Sequence, residues 1–363
     1  MNIPAKFKVE PFLVFYLVHA SQVGVGILGF QRILMEEAGH DAWISILITG
    51  FIYHIILYMI FNMLNTYKTD LTGLHKKFFG KWVGKCLDFV FIIYVLVTAF
   101  TVIRTYIEVV QVWMFPQLAS WVLGVLFCTL IYYVVTGGFR VVTGICFFGV
   151  VIPSFLTEFF FFPLQYADFG NLLPILDTPF PKILSAVNDT ALSYLGLEML
   201  LVYYPFIRKP EKSQKFAHLG LAATTSLYVF ITLVTFAFYS EKQLEKTVWA
   251  TLSLFKVAEF SFLERFEYFA VAIWVFVVIP NMVIYLWVST RVAKESFHLS
   301  QRKILAVFLT VIFISIVSID SRVLVDQINT YLGNLAFYFI IGYIPALYLI
   351  SKLHNRMHRR SKT

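Results

Sequence analysis

The chain reads as an all-α integral membrane protein with ten transmembrane helices, two of them broken in mid-span. Three observations carry that reading. The sequence is 59% apolar and 14% charged, with a mean hydropathy of +0.78, well beyond the roughly 45–50% apolar content of soluble domains. Its apolar residues fall into ten runs, each about long enough (roughly 17–25 residues) to cross a bilayer as a helix. Two of those runs, opening the two halves of the chain, carry backbone-loosening residues at their centres.

The spans lie near 11–34, 41–66, 85–113, 120–136, 143–163, 183–207, 216–239, 265–291, 303–319 and 331–351. The first is interrupted at Gly24-Val25-Gly26, with Gly29 beyond; the sixth is interrupted over Ser193-Tyr194-Leu195-Gly196-Leu197-Glu198. The third and eighth are long enough to tilt or to project past the lipid. No stretch between spans would make a separate soluble domain, so residues 1–363 are expected to form one membrane domain, with halves at about 11–163 and 183–351. Two connections have a pattern of their own. Residues 70–85 interleave Lys76, Lys77, Lys81 and Lys85 with Leu74, Phe78, Phe79 and Trp82, as in a basic helix lying on an inner leaflet. Residues 240–262 begin with Glu241, Lys242, Glu245 and Lys246 and continue with Leu252, Leu254 and Phe255, which predicts a helix on the outer surface.

Charge sets the expected orientation. With the N-terminus cytoplasmic, all but eight of the 29 Lys and Arg residues fall on inner segments, as the positive-inside rule requires. The exceptions are Arg32, Arg104, Lys182, Lys242, Lys246, Lys256, Arg265 and Arg322. The net charge of +8 thus reflects topology and gives no support to nucleic-acid binding. Val18-His19-Ala20 loosely resembles a signal-peptide cleavage site after Lys6 and Lys8. The apolar run continues unbroken beyond it, however, and the first span is expected to be retained. Cys86, Cys128 and Cys146 show no metal-ligand spacing and read as small buried hydrophobes. No nucleophile–base pair, metal cluster or phosphate loop appears, so neither an enzyme nor a cofactor is expected.

Several segments resemble the spore germination permease family, the B subunits of endospore germinant receptors. They are Ala191-Leu192-Ser193-Tyr194-Leu195-Gly196-Leu197-Glu198 with Tyr204-Pro205-Phe206 and Lys209-Pro210; Trp249-Ala250-Thr251-Leu252-Ser253-Leu254-Phe255-Lys256; Leu263-Glu264-Arg265-Phe266-Glu267 with Trp274; Gly24-x-Gly26-x-Leu28; and Arg104 with Glu108. The resemblance covers essentially the whole chain. It implies membership of the amino acid–polyamine–organocation superfamily and a five-plus-five inverted repeat of the leucine-transporter type. It also implies A-type and C-type receptor subunits as partners, and the inner membrane of a bacterial endospore, with both termini cytoplasmic, as the location. Two departures stand out: Phe30-Gln31-Arg32 where members commonly carry Leu-Pro-Arg, and Ala250 where a Pro usually follows the Trp.

A broken helix offers a positive N-terminal end with spare N–H groups and a negative end with spare carbonyls, which together suit a zwitterion such as an amino acid. Gly24, Val25, Gly26, Tyr194, Leu195 and Gly196 at the breaks, with Thr98 and Asn281 on the flanking third and eighth spans, are the candidate ligand contacts. The glycines equally suit close helix packing, and Thr98 and Asn281 equally suit interhelical hydrogen bonds. Pro280 would free a carbonyl beside Asn281. Arg104, Glu108, Glu158, Glu198 and Glu267 are the ionisable groups at membrane depth. They form either a structural ion-pair network, with Arg104 and Glu108 four apart on one face, or a proton relay through Glu198 or Glu158. His19 and His54 read as satisfied bundle histidines. The fifth span holds no Lys, and no Ser/Thr pair flanks Asn281, so coupling chemistry for a pump is not evident. Two function classes follow: a nutrient-sensing receptor subunit that binds a small molecule, and a stand-alone secondary amino-acid transporter.

Overall fold

The computed structural model describes residues 3–258 and 265–360. Part of the Leu263-Glu264-Arg265-Phe266-Glu267 motif, and the end of the 240–262 connection, lie outside the described residues. The helices are α1 (Leu13–Gln22), α2 (Phe30–Ala38), α3 (Trp43–Tyr67), α4 (Leu71–Trp113), α5 (Ser120–Thr136), α6 (Phe139–Val151), α7 (Phe180–Thr190), α8 (Leu200–Tyr203), α9 (Gln214–Phe238), α10 (Glu241–Leu244), α11 (Ala250–Phe255), α12 (Phe266–Phe297), α13 (Gln301–Ser318), α14 (Arg322–Phe337) and α15 (Ile344–Arg360). Among the described residues, seven helical segments are long and apolar enough to cross a membrane alone. The other three expected spans are the 17-residue α5 and the two interrupted segments, α1–α2 and α7–α8, whose pieces are individually short. Phe51, Val90, Leu126, Tyr133, Val311 and Ile314 lie exposed on the outer faces of these helices, a lipid-compatible coat that a soluble monomer would not carry.

Both interruptions are real. After Gln22 the backbone turns extended at Val23, runs through a 3-10 turn at Gly26–Leu28, and re-enters a helix at Phe30. The first break thus opens one residue before the glycines. The second passes from α7 through a 3-10 turn to an extended Leu195 and a left-handed Gly196, then through Leu197–Met199 into α8. The two broken segments are also tied at one end. Val9 N donates to Phe206 O at 2.9 Å and Arg208 N to Val9 O at 2.8 Å, and Arg208 pairs with Glu10 at 2.6 Å. These bonds form a single β-bridge between Val9 and Ile207.

The long helices α4 and α12 pack along much of their lengths and frame one side of the breaks, with α9 and α3 on the other. Pro280 sits within α12, and Gly149 of α6 lies against it: a Cβ there would meet the Pro280 ring and Phe276 O, the carbonyl that the proline leaves without its helical donor. The fifth span gives way after Val151 to a 3-10 stretch over Pro153–Phe161, because Pro153 has no N–H for the carbonyl four residues earlier and its ring crowds that carbonyl.

The two patterned connections differ from their expected forms. The 70–85 segment starts on an Asp70 cap that accepts from Gly73 N at 3.0 Å, and it reverses at Gly80 (φ 78°), a conformation open to glycine. Lys76, Lys77 and Lys81 face outward as expected, while Leu71, Leu74 and His75 are buried. Residues 240–255 form two short helices rather than one surface helix. Ser240 and Gln243 make a capping box for α10, and Ala250, Thr251, Leu252, Leu254 and Phe255 are wholly buried. The charged start belongs to the turn and the apolar end plugs the bundle. Cys146 is buried, Cys128 is half-buried and Cys86, against expectation, is exposed. His19 Nδ1 meets Thr224 Oγ1 at 2.9 Å and His54 Nδ1 meets His218 Nδ1 at 2.7 Å.

One buried polar knot joins three elements at the end of the bundle where α4 begins. His75 Nδ1 lies 2.6 Å from Asp88 Oδ1, Ser296 Oγ donates to Asp88 Oδ2, and the Tyr343 hydroxyl meets His75 Nε2. Tyr343 closes a π-helical turn between α14 and α15. Asp88→Ala strips both His75 and Ser296 of their acceptor, and orphaning a buried partner costs about 1–3 kcal/mol. Thermal unfolding of the purified chain should show a clear fall for Asp88→Ala, while the exposed Lys81→Ala stays within about 0.5 kcal/mol of the parent.

Candidate ligand-binding site at the helix breaks

When α1 ends, the carbonyls of residues 20–24 lose the N–H groups that a continued helix would supply, and in lipid such groups need other donors. Each of the five finds one. Asn281 Nδ2 donates to Ala20 O and, at 3.0 Å, to Val23 O. The Tyr285 hydroxyl donates to Ser21 O at 2.8 Å, the Tyr228 hydroxyl to Gln22 O at 3.4 Å, and Trp274 Nε1 to Gly24 O at 3.2 Å. Trp274, Asn281 and Tyr285 are seven and four residues apart on α12, hence on one face. A Cβ on Gly24 would collide with the Asn281 side chain, and one on Gly29 with Val248 O. Both glycines are therefore packing residues. Gly26 differs: a Cβ there meets nothing within 4 Å.

At the second break, Gly196 has φ 113°, and a Cβ would run into the backbone of Ser21, so glycine is required on two counts. Its N–H donates to Glu198 Oε2 at 3.0 Å, while the Tyr94 hydroxyl donates to Glu198 Oε1 at 2.8 Å. Gln22 Nε2 donates to Tyr194 O at 3.3 Å, so the two breaks touch directly.

A cavity of about 80 Å³ lies between them, lined by Gln22, Gly24, Val25, Gly26, Thr98, Thr101, Thr105, Ser193, Leu195, Tyr228, Asn281, Tyr285 and Asn329 among others. It shares Val25, Gly26, Thr105, Leu192, Ser193 and Asn329 with a vestibule of about 390 Å³ that also presents Arg32, Glu108, Asp189, Trp249, Arg322 and Asp326. Of the eight expected contacts, Gly24, Val25, Gly26, Thr98, Leu195 and Asn281 line the cavity. Gly196 supplies the turn behind it. Tyr194 points elsewhere: its hydroxyl reaches Thr225 Oγ1 at 3.1 Å and Ile46 O at 3.4 Å, and its ring lies between Tyr53 and Tyr228. Thr98 donates to Tyr94 O on its own helix at 2.9 Å.

Sequence reading passed over three residues that matter here. Gln22 Oε1, Thr101 Oγ1 and Thr105 Oγ1 are buried and have no hydrogen-bond partner among the described residues, and all three line the cavity. The spacing Thr98-x-x-Thr101-x-x-x-Thr105 is helical and was visible in the sequence as one face of the third span. Tyr228 and Tyr285 carried no such signal, since their roles depend on what α9 and α12 meet.

The ionisable residues do not form one network. Arg104 and Glu108 are not paired with each other. Arg104 Nε donates to Ile319 O at 2.9 Å, and its Nη2 meets Asp320 O and Asp320 Oδ1, each at 3.0 Å. Glu108 instead meets Arg322 Nε at 3.5 Å, which also reaches Asp326 at 3.7 Å. The α13–α14 junction thus separates two residues that helical spacing alone would join. Glu267 pairs with Arg265 at 3.0 Å, and Glu158 is exposed on the 3-10 stretch, away from the cavity. Glu198 is held by Tyr94 and Gly196 behind the break. Among the described residues, no group of three or more His, Cys, Asp and Glu side chains could hold a metal ion.

The sequence matches the spore germination protein family over residues 8–323. It is 44% identical over 358 residues to spore germination protein GerQB of Bacillus cereus, covering 99% of each chain. It is 25% identical over 341 residues to spore germination protein A2 of Bacillus subtilis (strain 168), covering 92% of each. Among solved structures, a substrate-bound, outward-open Na+-coupled sialic acid symporter superposes with a TM-score of 0.69 at 12% identity, over 94% of this chain and 78% of its own. MhsT in complex with L-phenylalanine gives 0.62 at 16% identity, over 94% and 88%. At these identities the likeness is one of fold: ten transmembrane helices in a leucine-transporter-type inverted repeat with the first and sixth helices broken.

The geometry around Arg104 yields a test. Arg104→Ala leaves the Ile319 and Asp320 carbonyls without their donor, a loss of about 1–3 kcal/mol. Glu108 keeps Arg322, so adding Glu108→Gln should not restore stability in thermal unfolding. Recovery in the double variant would mean that Arg104 and Glu108 are coupled after all.

Proposed function

The chain belongs to the spore germination protein family, and on that premise we propose that it is the nutrient-sensing B-type subunit of a germinant receptor. In this reading it forms one membrane domain in the inner membrane of an endospore, both termini cytoplasmic. A small molecule, an amino acid by the chemistry of the breaks, binds between the first and sixth helices. Its binding alters the contacts of those helices with the rest of the bundle, and A-type and C-type partner subunits read the change. A ligand shifts such an equilibrium only through differential affinity for its states, with about 1–3 kcal/mol of coupling typical.

The observation that carries the ligand site is the set of unpartnered polar atoms. Burying a hydroxyl or amide oxygen without a partner is costly, yet Gln22 Oε1, Thr101 Oγ1 and Thr105 Oγ1 are left so around one cavity. A bound molecule offering donors and acceptors would satisfy them. The backbone N–H groups of Gly24, Val25 and Gly26 likewise donate to nothing among the described residues and suit a carboxylate. The carbonyls of the break are less available than a broken helix suggests, since side chains already serve all five, so an ammonium group is better met by the free oxygens of Gln22, Thr101 and Thr105.

Filling the cavity is the direct test. Gly26→Leu enters open space and should leave protein levels normal while weakening the germination response at least about tenfold in nutrient concentration. Gly196→Leu meets Ser21 in a left-handed backbone and should fail to accumulate, which makes it a control for folding. Thr105→Val removes a hydroxyl that has no partner, so stability should hold while apparent affinity falls about five- to tenfold. Normal responses from Gly26→Leu and Thr105→Val would place the ligand elsewhere. The transporter reading is separated by reconstitution. The chain in liposomes should bind its nutrient yet accumulate none under an imposed proton or sodium gradient, and gradient-driven uptake would overturn the sensor assignment.

A further inference from the structure

We propose that the Asn281 side-chain amide is a built-in substitute for a cation at the first break, so that this site needs no bound Na+ or K+ to hold its shape. Carbonyls at the C-terminal end of a half-helix carry the negative end of its dipole and, when unwound, converge into a site for a small cation in membrane proteins of interrupted-helix design. Here the Ala20 and Val23 carbonyls, three residues apart across the end of α1, converge on one nitrogen. That nitrogen is Asn281 Nδ2, which donates to both. Since neither carbonyl can donate, both bonds require the NH2 of the amide to face them.

The surroundings hold the amide there. Asn281 is 3% exposed, follows Pro280 in α12, and stands over Gly24, the one residue of the break whose missing Cβ makes room for it. Trp274 and Tyr285, on the same face of α12, bind the carbonyls of Gly24 and Ser21 and fix the register of the helix against the break. A free cation would have to displace a tethered group that leaves no space and loses no translational entropy on binding. The amide brings two polar hydrogens and no net charge, so it satisfies the carbonyls without creating a buried charge to be balanced. The consequence is a break that is permanently closed on its carbonyl side and open only on its N–H side, toward Gly26.

The inference goes beyond the nutrient-sensing reading, and its test uses no nutrient, so either can fail without the other. Thermal unfolding of the purified full chain would be followed in NaCl, LiCl, KCl and N-methylglucamine chloride at constant ionic strength. The wild-type midpoint should be the same in all four to within about 1 °C. Asn281→Asp places a carboxylate beside the two carbonyls and should acquire a saturable rise of about 2–4 °C with one of the metal cations. Asn281→Ser, which vacates the position with a smaller group, should show the same dependence at higher salt. A saturable cation response in the wild type would overturn the proposal. So would folded Asp and Ser variants that are as indifferent to cations as the parent.

Discussion

Five consecutive carbonyl oxygens, from Ala20 to Gly24, must find donors inside a membrane after the helix that would have served them stops. Much of the bundle is arranged around that requirement. It accounts for Trp274, Asn281 and Tyr285 sharing one face of α12, and for Tyr228 on α9 reaching across from the other side. It also accounts for the missing Cβ at Gly24. Because Gln22 and Ser21 of the first break touch Tyr194 and Gly196 of the second, satisfying one break also sets the position of the other. A helix can be interrupted in lipid when its exposed backbone is enclosed by protein, and here α12 supplies most of the enclosure.

That division of labour separates polar groups already spent on the breaks from those that keep unused capacity. Asn281, a candidate for ligand contact on position alone, spends its donors on the backbone. Thr98 spends its hydroxyl on its own helix. The free capacity lies instead on Gln22, Thr101 and Thr105. One departure from the family pattern, Gln31, also has a structural use. Gln31 Nε2 donates to Thr251 Oγ1 at 2.6 Å and reaches Thr235 Oγ1 at 3.4 Å, and Thr251 in turn donates to Ile27 O at 2.7 Å. A proline at position 31 has no side-chain donor and would leave α2, α9 and α11 without this link. The buried α11 segment is therefore attached to the first break itself and not merely laid over it.

The spans, the two breaks and the outward-facing lysines of residues 70–85 were legible in the sequence, because hydropathy, glycine and charge act locally. The break at Val23 began earlier than its glycines because the chain must turn before Gly24 can pass Asn281. Arg104 and Glu108 misled for a similar reason. Helical spacing offers them to each other, but the α13–α14 junction presents Ile319 and Asp320 to one and Arg322 to the other, and those residues are more than 200 positions away in the chain. The same limit applies to Tyr194, whose ring is claimed by Tyr53 and Tyr228. The burial of residues 250–255 was hidden behind the charged residues that precede them. Position within a helix could be read from sequence; the partner opposite could not.

The short β-bridge at Val9 and Ile207 joins the outer limits of the two broken segments at the end opposite the vestibule. It removes a degree of freedom. The lower arms of the two segments cannot splay apart without giving up two backbone hydrogen bonds and the Arg208–Glu10 pair, and on the vestibule side α2 packs along α7, with Thr178 Oγ1 donating to Ala38 O at 3.0 Å. The two broken segments are thus fastened to each other on both sides of the cavity, so that they make one strut rather than two, with both interruptions enclosed between its tied ends.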